Sequence, residues 1–87
     1  MRKPTVVMYT TTICPYCHRA KRLLDSKGIR YEEIFIGNNT ARMREMIERS
    51  NRRSVPQIFI GDHHVGGYDD MAALDDKGEL DHLLGIK

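Results

Sequence analysis

An α/β fold, with a four-stranded mixed sheet flanked by helices, is predicted by three features of this 87-residue chain. The apolar pattern switches repeatedly between short β-branched runs and helical spacing. The first two runs are joined through a helical segment and so should pair in parallel, whereas the last two are separated only by Gly61-Asp62 and so should form an antiparallel hairpin. The expected order is β-α-β-α-β-β-α in one domain over residues 1–87, because 40% apolar content at this length supports one small core and leaves no room for a second.

Thr5 to Thr10, TVVMYT, is rich in β-branched and aromatic residues and too short for a core helix, so it reads as a buried strand. From Pro15 the period changes. Ala20, Leu23, Leu24 and Lys27 recur at helical spacing, proline suits the first helical position, and Gly28 is the expected stop. Ile29 to Ile36 reads as a second strand, ending in the turn GNNT, whose Thr40 can cap a helix with Met43, Met46 and Ile47 on its inner side. QIFI and HHVGG form the hairpin. A last helical pattern gathers around Met71, Ala72 and Leu74, breaks at Gly78, and resumes with Leu80, Leu83 and Leu84.

The net charge of +2 conceals an asymmetry: residues 1–53 carry 12 basic and 5 acidic groups, a net +7, while residues 54–87 carry 2 and 7, a net −5. The halves complement each other. Arg42, Arg44, Arg49, Arg52 and Arg53 form a basic cluster of a kind that can contact nucleic acid. Glu45 and Glu48 interrupt it and no aromatic platform accompanies it, so it reads as a solvated helix face with no nucleic-acid partner. The apolar runs near the basic start MRKPTVVMYT fall far short of a signal h-region or a membrane span. A cytoplasmic location and no membrane partner are therefore expected.

Cys14 and Cys17, in the register C-P-Y-C, are the only cysteines, and they could be a structural bridge, part of a metal site or a redox reagent. A reducing cytosol disfavours the bridge, and so short a loop would constrain the unfolded chain very little. A zinc site wants four ligands. The other donors are His18, His63, His64 and His82, without a second CxxC or an H-x3-5-H spacing, so no metal is expected. His63 and His64 read as hairpin residues, one of them solvated, and His82 as part of a terminal helix face.

The reagent reading has a physical basis. If the helix starts at Pro15, Cys14 is the N-cap, where its sulfur meets the free amides of Tyr16 and Cys17. Those amides and the positive end of the helix dipole favour a thiolate, with His18 and Arg19 adding positive potential. In CxxC sites of this kind the pKa falls to about 3.5 to 7.5, against about 8.5 for a free cysteine. Cys14 is thus the candidate nucleophile. Cys17, one turn on and within disulfide reach, is the candidate resolving thiol, more buried and less acidic.

Two further stretches extend the site. RSVPQIFI places Pro56 just before a strand, where it has no N–H to give a ladder, and leaves the Val55 backbone open to an extended ligand. In GGYDD, Gly66 and Gly67 permit close backbone approach, and Asp69 is a natural N-cap beside amides able to hold a carboxylate. Taken alone, each would be an ordinary turn or cap. Tyr16 and Tyr68 read equally well as rim aromatics or as ligand contacts.

CPYC, SVP and GGYDD, in this order on this element string, resemble the glutaredoxins of the small dithiol class, and the similarity runs from VVMYT to the terminal leucines. The resemblance implies a thioredoxin-like fold, a cis Val55-Pro56 peptide bond, and glutathione as reductant and co-substrate with no tightly bound cofactor. It implies Cys14 as attacking thiolate, Cys17 as resolving thiol and Tyr16 bordering the groove. Val55, followed by Pro56, would pair its backbone with the cysteinyl unit of glutathione. Gly67, Tyr68 and Asp69 would receive the γ-glutamyl end with Asp70 in support, and Gln57 matches a position that can reach the glycyl carboxylate. Two positions depart from the family pattern: Thr11 stands where lysine is frequent and Ser54 where threonine is frequent. Arg42, Arg52 or Arg53 would then have to replace the lysine as a carboxylate partner.

The implied activity is reduction of protein disulfides and glutathione mixed disulfides, by a monomer acting on disulfide-containing or glutathionylated proteins, at a potential of about −200 to −230 mV. Three rivals follow from other features. A thioredoxin-like reductase served by a flavoprotein is disfavoured by the C-P-Y-C core, the short length and the absence of tryptophan. An iron–sulfur carrier ligated by Cys14 and glutathione is disfavoured by Pro15 and the competing Cys17. An RNA-binding module would bind with steep salt dependence.

Overall fold

The computed structural model describes residues 4–86, so the basic start of the chain lies outside the described residues. Strand β1 (Val6–Thr10) is followed by helix α1 (Pro15–Ser26), with Pro15 in its first turn and Cys14 as N-cap. The helix ends as its sequence suggests. Gly28, at φ +68°, takes the left-handed conformation, its N–H donates to the Asp25 carbonyl, and the Ile29 N–H donates to the Leu24 carbonyl. That closing motif brings Ile29 onto Leu24 in the core. Ile29 is thereby spent on ending the helix, and strand β2 is shorter than the apolar pattern suggested, Glu32–Phe35.

Helix α2 (Thr40–Ser50) is capped by Asn39, whose side-chain oxygen accepts from the Arg42 N–H at 3.0 Å. The expected cap, Thr40, is instead the first helical residue. Asn39 sits where a short acceptor reaches the third amide of the helix. Met46 is fully buried and Ile47 packs beside it, but Met43 is 40% exposed. Three residues from Met46, it lies about 60° off the buried meridian of a 3.6-residue helix.

Strands β3 (Gln57–Ile60) and β4 (His63–Gly66) form the expected hairpin, with Gly61 at φ +59° in its turn. Helix α3 (Tyr68–Asp76) and the short helix α4 (Glu79–Leu83) follow. Gly78, at φ +74°, divides the terminal pattern, so the chain ends in two helices where one was expected.

The sheet order is β2-β1-β3-β4, with β1 parallel to β2 and antiparallel to β3. Strand alternation then makes two cores. Val6, Met8, Ile58 and Ile60 face Ala20 and Leu24 of α1, Met71 of α3 and Leu80 of α4. Tyr9 and Phe59 face the other way, onto Met46 of α2 and Ile36. The central strands are thus covered on both sides, and the chain leaves β1 toward Cys14 beside the loop that enters β3 at Pro56.

Candidate active site

Cys14 takes an extended conformation at the head of α1, and its Sγ accepts from the Cys17 N–H at 3.1 Å. Of the two amides expected at this sulfur, Cys17 supplies the bond. Cys14 and Cys17 are joined as a disulfide with their Cα atoms 5.1 Å apart. Cys17 is 2% exposed and Cys14 6%, so Cys17 lies the deeper of the two. On reduction, the same amide and the helix terminus would face a sulfur anion on Cys14. The Val55 carbonyl lies 3.8 Å from Cys14 Sγ, and the Val55-Pro56 peptide is cis.

Beside the sulfur runs an open groove of about 240 Å³. One wall is Tyr16, whose ring lies 6.4 Å from that of Tyr68 and carries the Arg19 guanidinium over its face at 5.2 Å. The floor is Ser54, Val55 and Pro56, and the far wall is Gly67, Tyr68, Asp69 and Asp70. A larger hollow of about 560 Å³ lies between Pro4, Ile29 to Glu32 and Leu84, and it lacks Val55, the groove residue whose carbonyl is 3.8 Å from Cys14 Sγ. Its size does not bear on the chemistry.

The expected cap of α3 is corrected. Gly67, not Asp69, is the N-cap, and Asp70 reaches back so that its Oδ2 accepts from the Gly67 N–H at 2.9 Å. Asp69, one residue earlier, is exposed at the groove. Arg52 donates to the same Asp70 oxygen at 2.9 Å, and this bond, then the Gly67 amide, holds the Asp70 carboxyl below its usual value. Gly66 sits at φ +113°, where an added Cβ would collide with the Asp70 carboxylate.

Of the arginines considered as a substitute for the missing lysine, Arg52 alone lines the groove. Arg42 is paired with Glu45 on α2, and Arg53 lines a separate hollow with Met43 and Arg44. Arg49 donates to the Tyr9 hydroxyl and lies over Phe59. Three of the five arginines of the basic cluster, Arg42, Arg49 and Arg52, are thus engaged with side chains of the protein itself, which weakens the reading of the cluster as a nucleic-acid surface. Gln57 is not in the groove. It is completely buried, with its amide on Ser54 and His64. His63 is exposed and His64 stacks on Phe59. Among the described residues there is no cluster of three or more metal-ligating side chains, and no helix is long and apolar enough to cross a membrane.

Sequence reasoning passed over Ile13, which stands 90% exposed immediately before Cys14. A large apolar residue inside a polar loop was its only signal. It also missed the support behind α1, where Thr10 donates to Glu33 at 2.7 Å and Lys21 pairs with the same oxygen at 2.6 Å. Burial raises the Glu33 pKa, but the Lys21 and Thr10 bonds outweigh it and the carboxyl stays below its usual value.

The sequence matches the glutaredoxin family model over residues 6–65. It is 57% identical to glutaredoxin 3 of Escherichia coli (strain K12) over 79 residues, covering 91% of this chain and 95% of that protein. It is 48% identical to a glutaredoxin of Pseudomonas aeruginosa over 81 residues, covering 93% of this chain and 96% of that one. Among solved structures, it superposes on a buckwheat glutaredoxin–glutathione complex with a TM-score of 0.86 at 32% identity, over 94% of this chain and 77% of that one. For Brucella melitensis glutaredoxin the TM-score is 0.85 at 50% identity, over 97% and 91%. The architecture is therefore thioredoxin-like. With its dithiol seated at the head of a helix as the chemistry of thiol–disulfide exchange requires, the chain belongs to the glutaredoxin family, the glutathione-dependent thiol–disulfide oxidoreductases.

Proposed function

We propose that this protein uses Cys14 as its sole nucleophile toward two classes of substrate, glutathionylated thiols and protein disulfides, with glutathione as the reductant. In the first route the Cys14 thiolate attacks the glutathione sulfur of a mixed disulfide, the partner leaves as its thiolate, and Cys14 carries the glutathione. A second glutathione thiolate attacks that glutathione sulfur, releasing Cys14 and forming glutathione disulfide. Cys17 takes no part. In the second route Cys14 opens a protein disulfide, Cys17 attacks Cys14 Sγ and expels the reduced product, and two glutathione molecules reduce the resulting Cys14–Cys17 bond.

The observation that carries this reading is the position of Cys14 Sγ, on a helix-start amide and beside the backbone of Val55. An extended cysteinyl unit can align along Val55 and Pro56, with its own sulfur brought to Cys14. Gly67 to Asp70, at the head of α3, would receive the γ-glutamyl end, where helix amides favour a carboxylate. Arg52, bonded to Asp70 at that same end, keeps guanidinium donors beyond the one given to Asp70 and is the arginine we assign as a carboxylate partner. The protein would act as a cytoplasmic monomer.

Single substitutions test the division of labour. Cys14→Ser should abolish both activities, measured with glutathione and glutathione reductase. Cys17→Ser should keep reduction of a glutathione mixed disulfide and lose reduction of a protein disulfide. Equal loss of both in Cys17→Ser would overturn the assignment.

A further inference from the structure

Gln57 opens β3 directly after Pro56, yet it sends nothing into the groove. Its Nε2 donates to the Ser54 carbonyl at 3.0 Å and to the Ser54 hydroxyl at 3.2 Å. Its Oε1 meets His64 Nε2 at 2.8 Å. A carbonyl can only accept, so the Gln57 NH2 must face Ser54 and its oxygen must face His64. His64 Nε2 therefore carries a proton.

His64 is itself held in place. Its ring stacks on Phe59 with centroids 4.8 Å apart, and the Arg49 guanidinium lies 4.1 Å from the Phe59 centroid. Charged or titratable groups face it from α2 (Arg49), from the segment after α2 (Arg52), from α3 (Asp70) and from the adjacent His63. Burial, then Arg52, keeps its pKa below the usual value, so the ring is a neutral donor at neutral pH. A completely buried amide with every polar atom paired fixes one arrangement of the segments it joins. Here it joins β4, through β3, to the residue preceding Val55.

We propose that His64 and Gln57 are positioning residues of the redox groove, a two-member hydrogen-bond relay that fixes Ser54 and so sets the Val55 backbone against Cys14. The inference rests on the reading of that groove as the glutathione site. Gln57 then acts on the ligand through Ser54 and Val55, not by touching a carboxylate.

The test is steady-state kinetics with the mixed disulfide of glutathione and 2-mercaptoethanol, glutathione being the reductant. His64→Phe keeps a stacking ring and removes the donor, while His64→Gln returns an N–H. We expect His64→Phe to raise KM for the mixed disulfide about five- to tenfold, with kcat changed by less than about twofold, the scale of one lost hydrogen bond. His64→Gln should recover most of that loss. Because the two residues act in series, adding His64→Phe to Gln57→Leu should raise KM by less than about twofold further. Unchanged KM in folded His64→Phe, whatever its melting temperature, overturns the relay, and so do fully additive effects. If His64→Phe does not fold, Gln57→Met carries the same expectation, and an unchanged KM there overturns it. Native protein that glutathione cannot turn over would sink the reading of the groove itself, a failure visible before any variant is made.

Discussion

Cys14 and Asp70 occupy two helix starts and use the same physics with different atoms. At the head of α1 the sulfur takes the Cys17 N–H, and at the head of α3 a carboxylate reaches back to the Gly67 N–H. Asp70 makes a pH prediction. Its folded pKa lies below the ordinary 3.8 because of the Arg52 bond first and the Gly67 amide second. A group depressed in the folded state contributes stability that is full above its unfolded pKa and is lost as pH falls through the folded one. Both side chains are nearly half exposed, so solvent screening limits the effect to no more than about 1 kcal/mol. Melting temperatures from pH 5 down to pH 2 should therefore fall more steeply for the native protein than for Asp70→Asn. Identical slopes would remove Asp70 from the acid limb. That Asp70 rather than Asp69 takes this role could not be read from GGYDD, because both residues suit a helix start and one residue of offset in the helix boundary decides between them.

At the scale of elements, the junction of β4 and α3, next to the groove, leaves no room for a side chain at Gly66. Gly66 has a positive φ, its Cβ position is occupied by Asp70, and the Arg52 guanidinium is 3.1 Å from it. Gly66→Ala should cost about 1 to 3 kcal/mol by backbone strain and also raise KM for glutathione substrates, since Asp70 and Arg52 must move together. A denaturant melt and one KM measurement check both halves. Helix α1 depends on its closing motif and on Leu24, which is fully buried between the sheet and Ile29. Leu24→Ala should cost about 2 to 5 kcal/mol, much of the margin of so small a chain, and lower the thermal midpoint accordingly. Both helix ends of α1 were legible because proline and glycine act through their own backbone. The start of β2 was not, because Ile29 suits a strand and a helix-closing contact equally well.

For the molecule as a whole, the complementary charge of the two halves takes one concrete form. Lys27, at the end of α1, pairs with Asp75 of α3 at 2.7 Å and Asp81 of α4 at 2.6 Å. The Asp75 hydrogen bond, then that of Asp81, raises the Lys27 pKa above its ordinary 10.5. A raised pKa gives stability that is complete below the unfolded value and is lost as pH rises through the folded one. Lys27→Met should cost about 1 kcal/mol at pH 7 and flatten the loss of stability toward pH 11, as thermal melts at the two pH values will show. Tyr9 and Tyr31, whose burial raises their pKa values, act in the same direction, so the comparison is between variant and native protein. By itself the sequence determined the strand order, the first three helices, the hairpin and the cap position of Cys14, because each is written in neighbouring residues through periodicity, proline and glycine. Only the tertiary structure decided that Gln57 turns inward to His64, that Arg52 among the arginines joins Asp70, and that Met43 faces out. Those choices depend on where segments distant along the chain come to rest, and a side chain spends its hydrogen bonds on whichever partner the packing brings within reach.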